Sequence, residues 1–207
     1  MSSAWDKFVE LRNTAPVIDV KDEYCLPRGE MNPGIFIRML ETMVERNLVL
    51  DVWEQFASPE SAKKFRKIAM ERRAWLESWG MEGHSSGVQG YCVKDSTMEH
   101  PDRLTRMCGV LMHPPYFGSS VMSKSSADLS VLKDMEEYKR RLWAAFRTAS
   151  VALQDGGLVC AVGRRYRYNG DEIQLDRWMV ELAEVVGFGV EEVWNSCPDV
   201  VILFTWR

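Results

Sequence analysis

The sequence of 207 residues contains no apolar run approaching the roughly 18 residues that cross a bilayer. Met1 to Asn13 carries charges throughout and lacks the apolar stretch of a signal peptide. Histidine is scarce. Only His84, His100 and His113 occur, with neither His-x-x-x-His nor His-x-Glu spacing. Cys25, Cys92, Cys108, Cys160 and Cys197 are odd in number and scattered, with no pair at zinc-knuckle or redox spacing. These absences argue against a metal centre and a disulfide scaffold, and Cys160, inside an apolar run, reads as a small buried hydrophobe. An excess of one charge is missing too: 30 acids face 26 bases, for a formal charge of -4. That excludes a histone-like polycation and an acidic disordered tail, and leaves room for a local basic patch. The expectation is a cytoplasmic protein with no membrane partner, nucleoid-associated if it binds DNA.

What is present is a regular alternation of elements. Apolar content of 46% at this length suits one domain with a sizeable core. Asn32-Pro33 opens a helix, since asparagine caps and proline in the first turn loses no helical hydrogen bond. Ile35, Phe36, Met39, Leu40, Met43 and Val44 follow at helical spacing. Asn47 to Val52 reads as a short buried strand ending near Asp51. Ser58-Pro59-Glu60 begins a second helix, basic through Arg73. Trp75 to Ser78, Val88 to Val93 and Val110 to Met112 read as strands. Leu132, Met135, Tyr138, Leu142, Phe146, Ala149 and Leu153 mark one long amphipathic helix.

Gly156-Gly157 breaks that helix before a central strand, Leu158 to Val162. A last helix carries Leu175, Trp178, Met179, Leu182 and Val186 and stops at Gly187. Strands near Val190 to Trp194 and Val200 to Trp206 close the chain as an antiparallel hairpin. The pattern predicts an α/β fold with a mostly parallel sheet over residues 26–207. Residues 1–25 carry no assigned element and either pack on the sheet or are mobile.

Open sheets of this kind bind ligands beyond the carboxyl ends of their strands. Asp51, Asp95-Ser96 and the run from His113 to Tyr116 all fall at predicted carboxyl ends. In the last of these, Pro114 and Pro115 fix two backbone angles and remove two amide donors. Such a rigid turn can hold the His113 side chain and a backbone carbonyl toward an amine, with Tyr116 free to stack on a flat ring. The plainer alternative is a loop whose tyrosine covers the core.

The segment GVLMHPPYFGSS, Gly109 to Ser120, resembles the hallmark of the DNA amino-methyltransferases, which methylate the exocyclic amine of adenine or cytosine. Their motif is Asp, Asn or Ser, then Pro-Pro and an aromatic, at the end of the fourth strand. EEYKRRLWAAF, LQDGGLVCAVG, EIQLDRWMVELAEVVGF and DVVILFTWR are similar to the family's later elements. PRGEMNPGIFIRMLETMV and NLVLDVWEQFAS are similar to its first helix and cofactor strand. The resemblance covers about residues 25 to 207. It implies a Rossmann-like class I methyltransferase fold with S-adenosylmethionine as cofactor. It further implies that His113, Pro114, Pro115 and Tyr116 orient the amine. Asp51, Trp53, Glu77 and Asp95 would hold the cofactor, with Asn32 and Pro33 lining its pocket.

Two departures mark a divergent or degenerate member. The family places Gly-x-Gly after the cofactor strand, where glycine lets the backbone approach the ligand. A gapless match puts Gln55 and Ala57 there, so Gln55 would fill that space and Glu54 would add charge near the cofactor's carboxylate. The second departure is His113 in place of Asp, Asn or Ser. A neutral imidazole has one acceptor nitrogen and can substitute, which predicts activity falling as pH drops through about 6.5.

Two basic clusters complete the reading. Lys63, Lys64, Arg66, Lys67, Arg72 and Arg73 form either a phosphate-binding or a merely solvated helix face. Arg164, Arg165, Tyr166 and Arg167 follow the fifth strand on the ligand side. They either contact nucleic acid by charge and stacking or pair internally with Asp171 and Glu172. The short interval Ser119 to Asp134 leaves little room for a target-recognition domain. Two functions follow. One is a pseudoenzyme that binds DNA or RNA, or that dimerises with itself or with an active methyltransferase subunit. The other is an active S-adenosylmethionine-dependent methyltransferase on the exocyclic amine of adenine or cytosine in DNA; methylation of RNA or of a small molecule is a third reading.

Overall fold

Strands buried on both faces form the centre of a parallel sheet, and two segments meet that condition. Met107–Met112 (β4) is buried throughout, as is Leu158 to Val162 within Leu153–Gly163 (β5). The computed structural model describes residues 3–18, 31–80, 91–95, 97, 106–118 and 128–206. The remaining sheet strands are Asp51–Gln55 (β1), Trp75–Gly80 (β2), Tyr91–Val93 (β3), Phe188–Ser196 (β8) and Asp199–Trp206 (β9). They lie in the order β3-β2-β1-β4-β5-β9-β8. The first five run parallel, and β9 is antiparallel to both β5 and β8. The chain therefore has the expected α/β architecture, a mostly parallel sheet closed by a C-terminal antiparallel hairpin.

Alternation along the strands sorts two cores. Val52, Leu111, Cys160 and Val162 face one side, where α2 (Pro33–Glu45) and α3 (Pro59–Glu71) pack. Trp53, Val110, Met112 and Ala161 face the other, against α4 (Met135–Ala152) and α5 (Leu175–Val186). Gly109 is small because Met39 and Met43 of α2 lie where its side chain would project. Cys160 is buried as its apolar setting suggested, and burial pushes its thiol up. Among the described residues no helix is long and apolar enough to cross a membrane.

Several boundaries differ from the sequence reading. β1 occupies Asp51–Gln55, not Asn47 to Val52, so Asp51 stands at the amino end of its strand. Gly156-Gly157 does not separate helix from strand, because α4 ends at Ala152 and β5 begins at Leu153. Val88 lies outside the described residues. Near the N-terminus, Ala4–Asn13 forms α1, started by a reciprocal Ser3–Asp6 capping box. Its Phe8 is fully buried, and Ile18 donates its amide to the Asn195 carbonyl, so residues 4–18 pack on the sheet's C-terminal edge. Between β5 and α5 lies a two-stranded hairpin, Arg165–Tyr168 (β6) and Asp171–Gln174 (β7). Asn169 and Gly170 turn it, both with positive φ.

Candidate functional site

The carboxyl ends of β1, β4 and β5 bring three segments to one edge: Phe56-Ala57-Ser58, His113 to Gly118, and Arg164 with the hairpin. His113 follows β4 directly and is half-buried. Its Nε2 lies 3.4 Å from the Tyr116 hydroxyl. Tyr116 in turn donates to Asp199 Oδ1 at 2.7 Å. The Arg164 guanidinium sits 4.5 Å from the centroid of the Tyr116 ring, and its Nε is 3.9 Å from Asp199 Oδ1. Burial holds the His113 ring below its ordinary pKa, opposed by Asp199 and reinforced by Arg164. Burial and the Asp199 charge push the Tyr116 phenol far up, so it stays protonated. Any acid titration of His113 therefore lies below the 6.5 of an ordinary imidazole.

Tyr116 is not a free stacking platform. The Tyr166 ring stacks on it at 5.5 Å. The neighbouring backbone is also fastened, since Tyr138 donates to the Pro115 carbonyl at 2.8 Å and Tyr166 to the Phe117 carbonyl at 2.9 Å. Pro114 is buried. The hairpin's alternation explains this cover. Tyr166 and Tyr168 face the motif loop, while Arg165 and Arg167 face outward. Gly118, at φ 71, leaves the space that the Tyr168 ring occupies.

Of the arginines, Arg165 is engaged structurally. It pairs at 3.1 Å with the fully buried carboxylate of Asp176, which Arg12 also holds at 2.9 Å. Its acidic partner is thus Asp176, not Asp171 or Glu172. Arg167 is exposed and makes no ion pair among the described residues.

The cofactor side departs further from expectation. Gln55 is the last residue of β1, and its side chain donates to the Ala145 carbonyl of α4 instead of entering ligand space. Glu54 is buried between β1, β2 and α3, where its two oxygens accept from the Ser61 and Ser78 hydroxyls, each at 2.7 Å. Burial pushes its carboxyl up to about 7. The left-handed residue that a glycine would serve is Phe56, at φ 61. The Ala57 amide is taken by the Trp79 carbonyl at 2.8 Å. The Ser58 and Ser61 amides are taken by each other's hydroxyls, both at 3.0 Å.

The remaining positions scatter. Asp51 begins β1, four residues and roughly 13 Å from the strand's carboxyl end. Trp53 is fully buried against Trp79, with its indole nitrogen unpartnered among the described residues. Glu77 lies in the middle of β2, opposite Trp53. Asp95 follows β3, accepts from the amide and hydroxyl of Thr97, and pairs with Arg141 of α4 at 2.6 Å. Ser96 lies outside the described residues. Asn32 caps α2 and donates to Ser196. Asp199, Arg141 and Tyr138 are not among the site residues expected from the sequence, being 83, 46 and 23 residues from their partners. Among the described residues no cluster of histidine, cysteine or acid stands ready to hold a metal.

No protein-family model and no curated protein sequence matches this chain. Solved structures do. N-methyltransferase NodS from Bradyrhizobium japonicum WM9, in complex with S-adenosylhomocysteine, superimposes with a TM-score of 0.57 at 9% identity and full coverage of both chains, 100% each. The 1,6-didemethyltoxoflavin-N1-methyltransferase of Burkholderia thailandensis, also with bound S-adenosylhomocysteine, gives 0.57 at 10% identity over 99% of this chain and 87% of that one. TrmN from Thermus thermophilus gives 0.58 at 14% identity over 87% of this chain. This chain spans half, 50%, of the TrmN chain's length. The fold is that of the class I S-adenosylmethionine-dependent methyltransferases. The likeness is one of fold and does not single out the DNA amino-methyltransferases.

The turn after β1 differs from a Gly-x-Gly loop in its residues and in its backbone. There the cradle is made of backbone left bare by glycine. Here the Ala57 and Ser58 amides are satisfied internally, and a phenylalanine stands at the left-handed position.

Proposed function

We propose that this chain is a pseudo-methyltransferase that has kept the fold, does not hold S-adenosylmethionine in the usual manner, and binds nucleic acid along its carboxyl edge. The observation that carries the first part is the turn Phe56-Ala57-Ser58, in which the Ala57 and Ser58 amides have protein partners and Phe56 holds the left-handed position. Support for nucleic acid is electrostatic. Arg167 projects from the hairpin, and Lys63 and Lys67 are exposed on α3, which begins at the same edge. Exposed cations at one edge suit a phosphate backbone better than a groove readout of bases. Fluorescence anisotropy with a labelled single strand tests this. Binding should weaken steeply between about 50 and 200 mM salt. No binding at low salt overturns it.

A second reading has its own observation. The chain Asp199–Tyr116–His113 stands at the carboxyl end of β4, where an amine-orienting group belongs in the amino-methyltransferases. On that reading the protein is an active methyltransferase acting on an exocyclic amine. Cofactor titration separates the two.

A further inference from the structure

Asp199 opens β9, directly after the turn from β8, and reaches back to the motif loop. Its role follows from counting hydrogens. A phenol has one. In Tyr116 that hydrogen is directed to Asp199 Oδ1 at 2.7 Å, so toward His113 Nε2, 3.4 Å away, the phenol oxygen can only accept. The imidazole meets an acceptor favourably only when Nε2 carries its hydrogen. The ring is half-buried and held below its ordinary pKa by desolvation, so at neutral pH it has a single proton. The lone pair is then on Nδ1, which has no hydrogen-bond partner among the described residues. The charged and titratable groups facing this assembly are Asp199, Arg164, Tyr116 and Tyr166.

We infer that Asp199 is a positioning residue: acting through Tyr116, it fixes His113 as the Nε2–H tautomer and leaves Nδ1 as a hydrogen-bond acceptor for an N–H donor. On the nucleic-acid reading above, on which this clause rests, the donor class is the exocyclic amine of a nucleobase. The assignment explains how histidine works at a position where a carboxylate or amide would accept without any tautomer to control. It also gives the Tyr116 hydroxyl a use other than stacking.

The test is long-range 1H–15N correlation of the histidine rings in the full chain at pH 8, with His113 assigned by the signal lost in His113→Asn. Wild type should show the Nε2–H pattern. Asp199→Asn keeps an acceptor for the phenol and should retain it. Asp199→Ala frees the phenol to donate to Nε2 and should shift most of the ring population to Nδ1–H. A wild-type ring in the Nδ1–H form, or an Asp199→Ala ring unchanged from wild type, overturns the assignment. Should Asp199→Ala fail to fold, Tyr116→Phe serves: the Nε2–H preference should relax toward a mixture, and persistence of the pure form overturns the proposal. For the ligand clause, adenosine should bind about five- to tenfold more tightly than purine riboside, the size expected for one added hydrogen bond. Equal affinity overturns that clause. If neither nucleoside nor single-stranded DNA binds while the tautomer behaves as described, the nucleic-acid reading fails and the Asp199 assignment stands.

Discussion

Tyr116 and Asp199 are 83 residues apart in sequence and joined by a single 2.7 Å hydrogen bond. That bond ties the loop after β4 to the closing hairpin of the sheet, and the inserted β6–β7 hairpin covers it. The motif that most resembles an amine-binding turn is therefore braced on three sides, by Asp199, by Tyr138 from α4, and by Tyr166.

Gly118→Ala should loosen that brace. The residue has φ 71, and an added methyl would meet the Tyr168 ring. A non-glycine residue in the left-handed region costs about 1–3 kcal/mol, and the ring must also move. Chemical denaturation should show a loss of that order, with the β6–β7 tyrosine resonances shifted. An unchanged midpoint would mean that the hairpin does not press on the loop.

Glu54 gives the fold a pH signature. Its folded-state pKa is raised from 4.5 to about 7 by burial, against the pull of two serine hydroxyls. The folded state thus binds the proton more tightly than the unfolded chain. Its contribution is fully present below pH 4.5 and is lost as pH rises toward about 7. The size is about 3 kcal/mol, at 1.36 kcal/mol per pKa unit. Glu54→Gln, which stays neutral and keeps hydrogen-bonding atoms for Ser61 and Ser78, should flatten this slope. At pH 8 it should be more stable than wild type by ~1–3 kcal/mol. Parallel stability profiles for the two proteins from pH 4.5 to 8 would contradict the burial argument.

The two outward arginines of the hairpin should behave differently. Arg167→Ala should weaken binding to a labelled single strand and reduce the salt dependence by about one counterion, with stability unchanged. Arg165→Ala should lower stability, because the fully buried Asp176 carboxylate then keeps only Arg12. Thermal melts alongside anisotropy separate the effects. Equal melting temperatures for both variants would show that Arg165 is only a surface charge.

The sequence was most legible where burial and periodicity coincide. α2 begins at Asn32-Pro33, and α5 stops at a left-handed Gly187, as the spacing predicts. The apolar residues Leu48, Val49, Leu50 and Val52 point to a strand over Asn47 to Val52, whereas β1 itself contains Glu54 and Gln55. Those polar side chains are tolerated inside because Ser61, Ser78 and the Ala145 carbonyl satisfy them, and these partners come together only in the folded sheet. Two local signals were present and unread. They are the Ser3–Asp6 capping box of α1 and the Asn169-Gly170 turn, which makes a hairpin of what looks like a basic loop. Asp199 left no local signal, because its role depends on a contact across the sheet. The Asp95–Arg141 pair is similar: the carboxylate was visible, but the guanidinium that occupies it comes from a helix 46 residues away.

On the pseudo-methyltransferase reading, the turn Phe56-Ala57-Ser58 leaves no ordinary seat for the cofactor. Calorimetric titration of the full chain with S-adenosylmethionine and S-adenosylhomocysteine tests it most directly. The account predicts no binding heat and no thermal stabilisation at millimolar cofactor. Micromolar binding of either compound would contradict it, and would favour the active-enzyme reading built on His113.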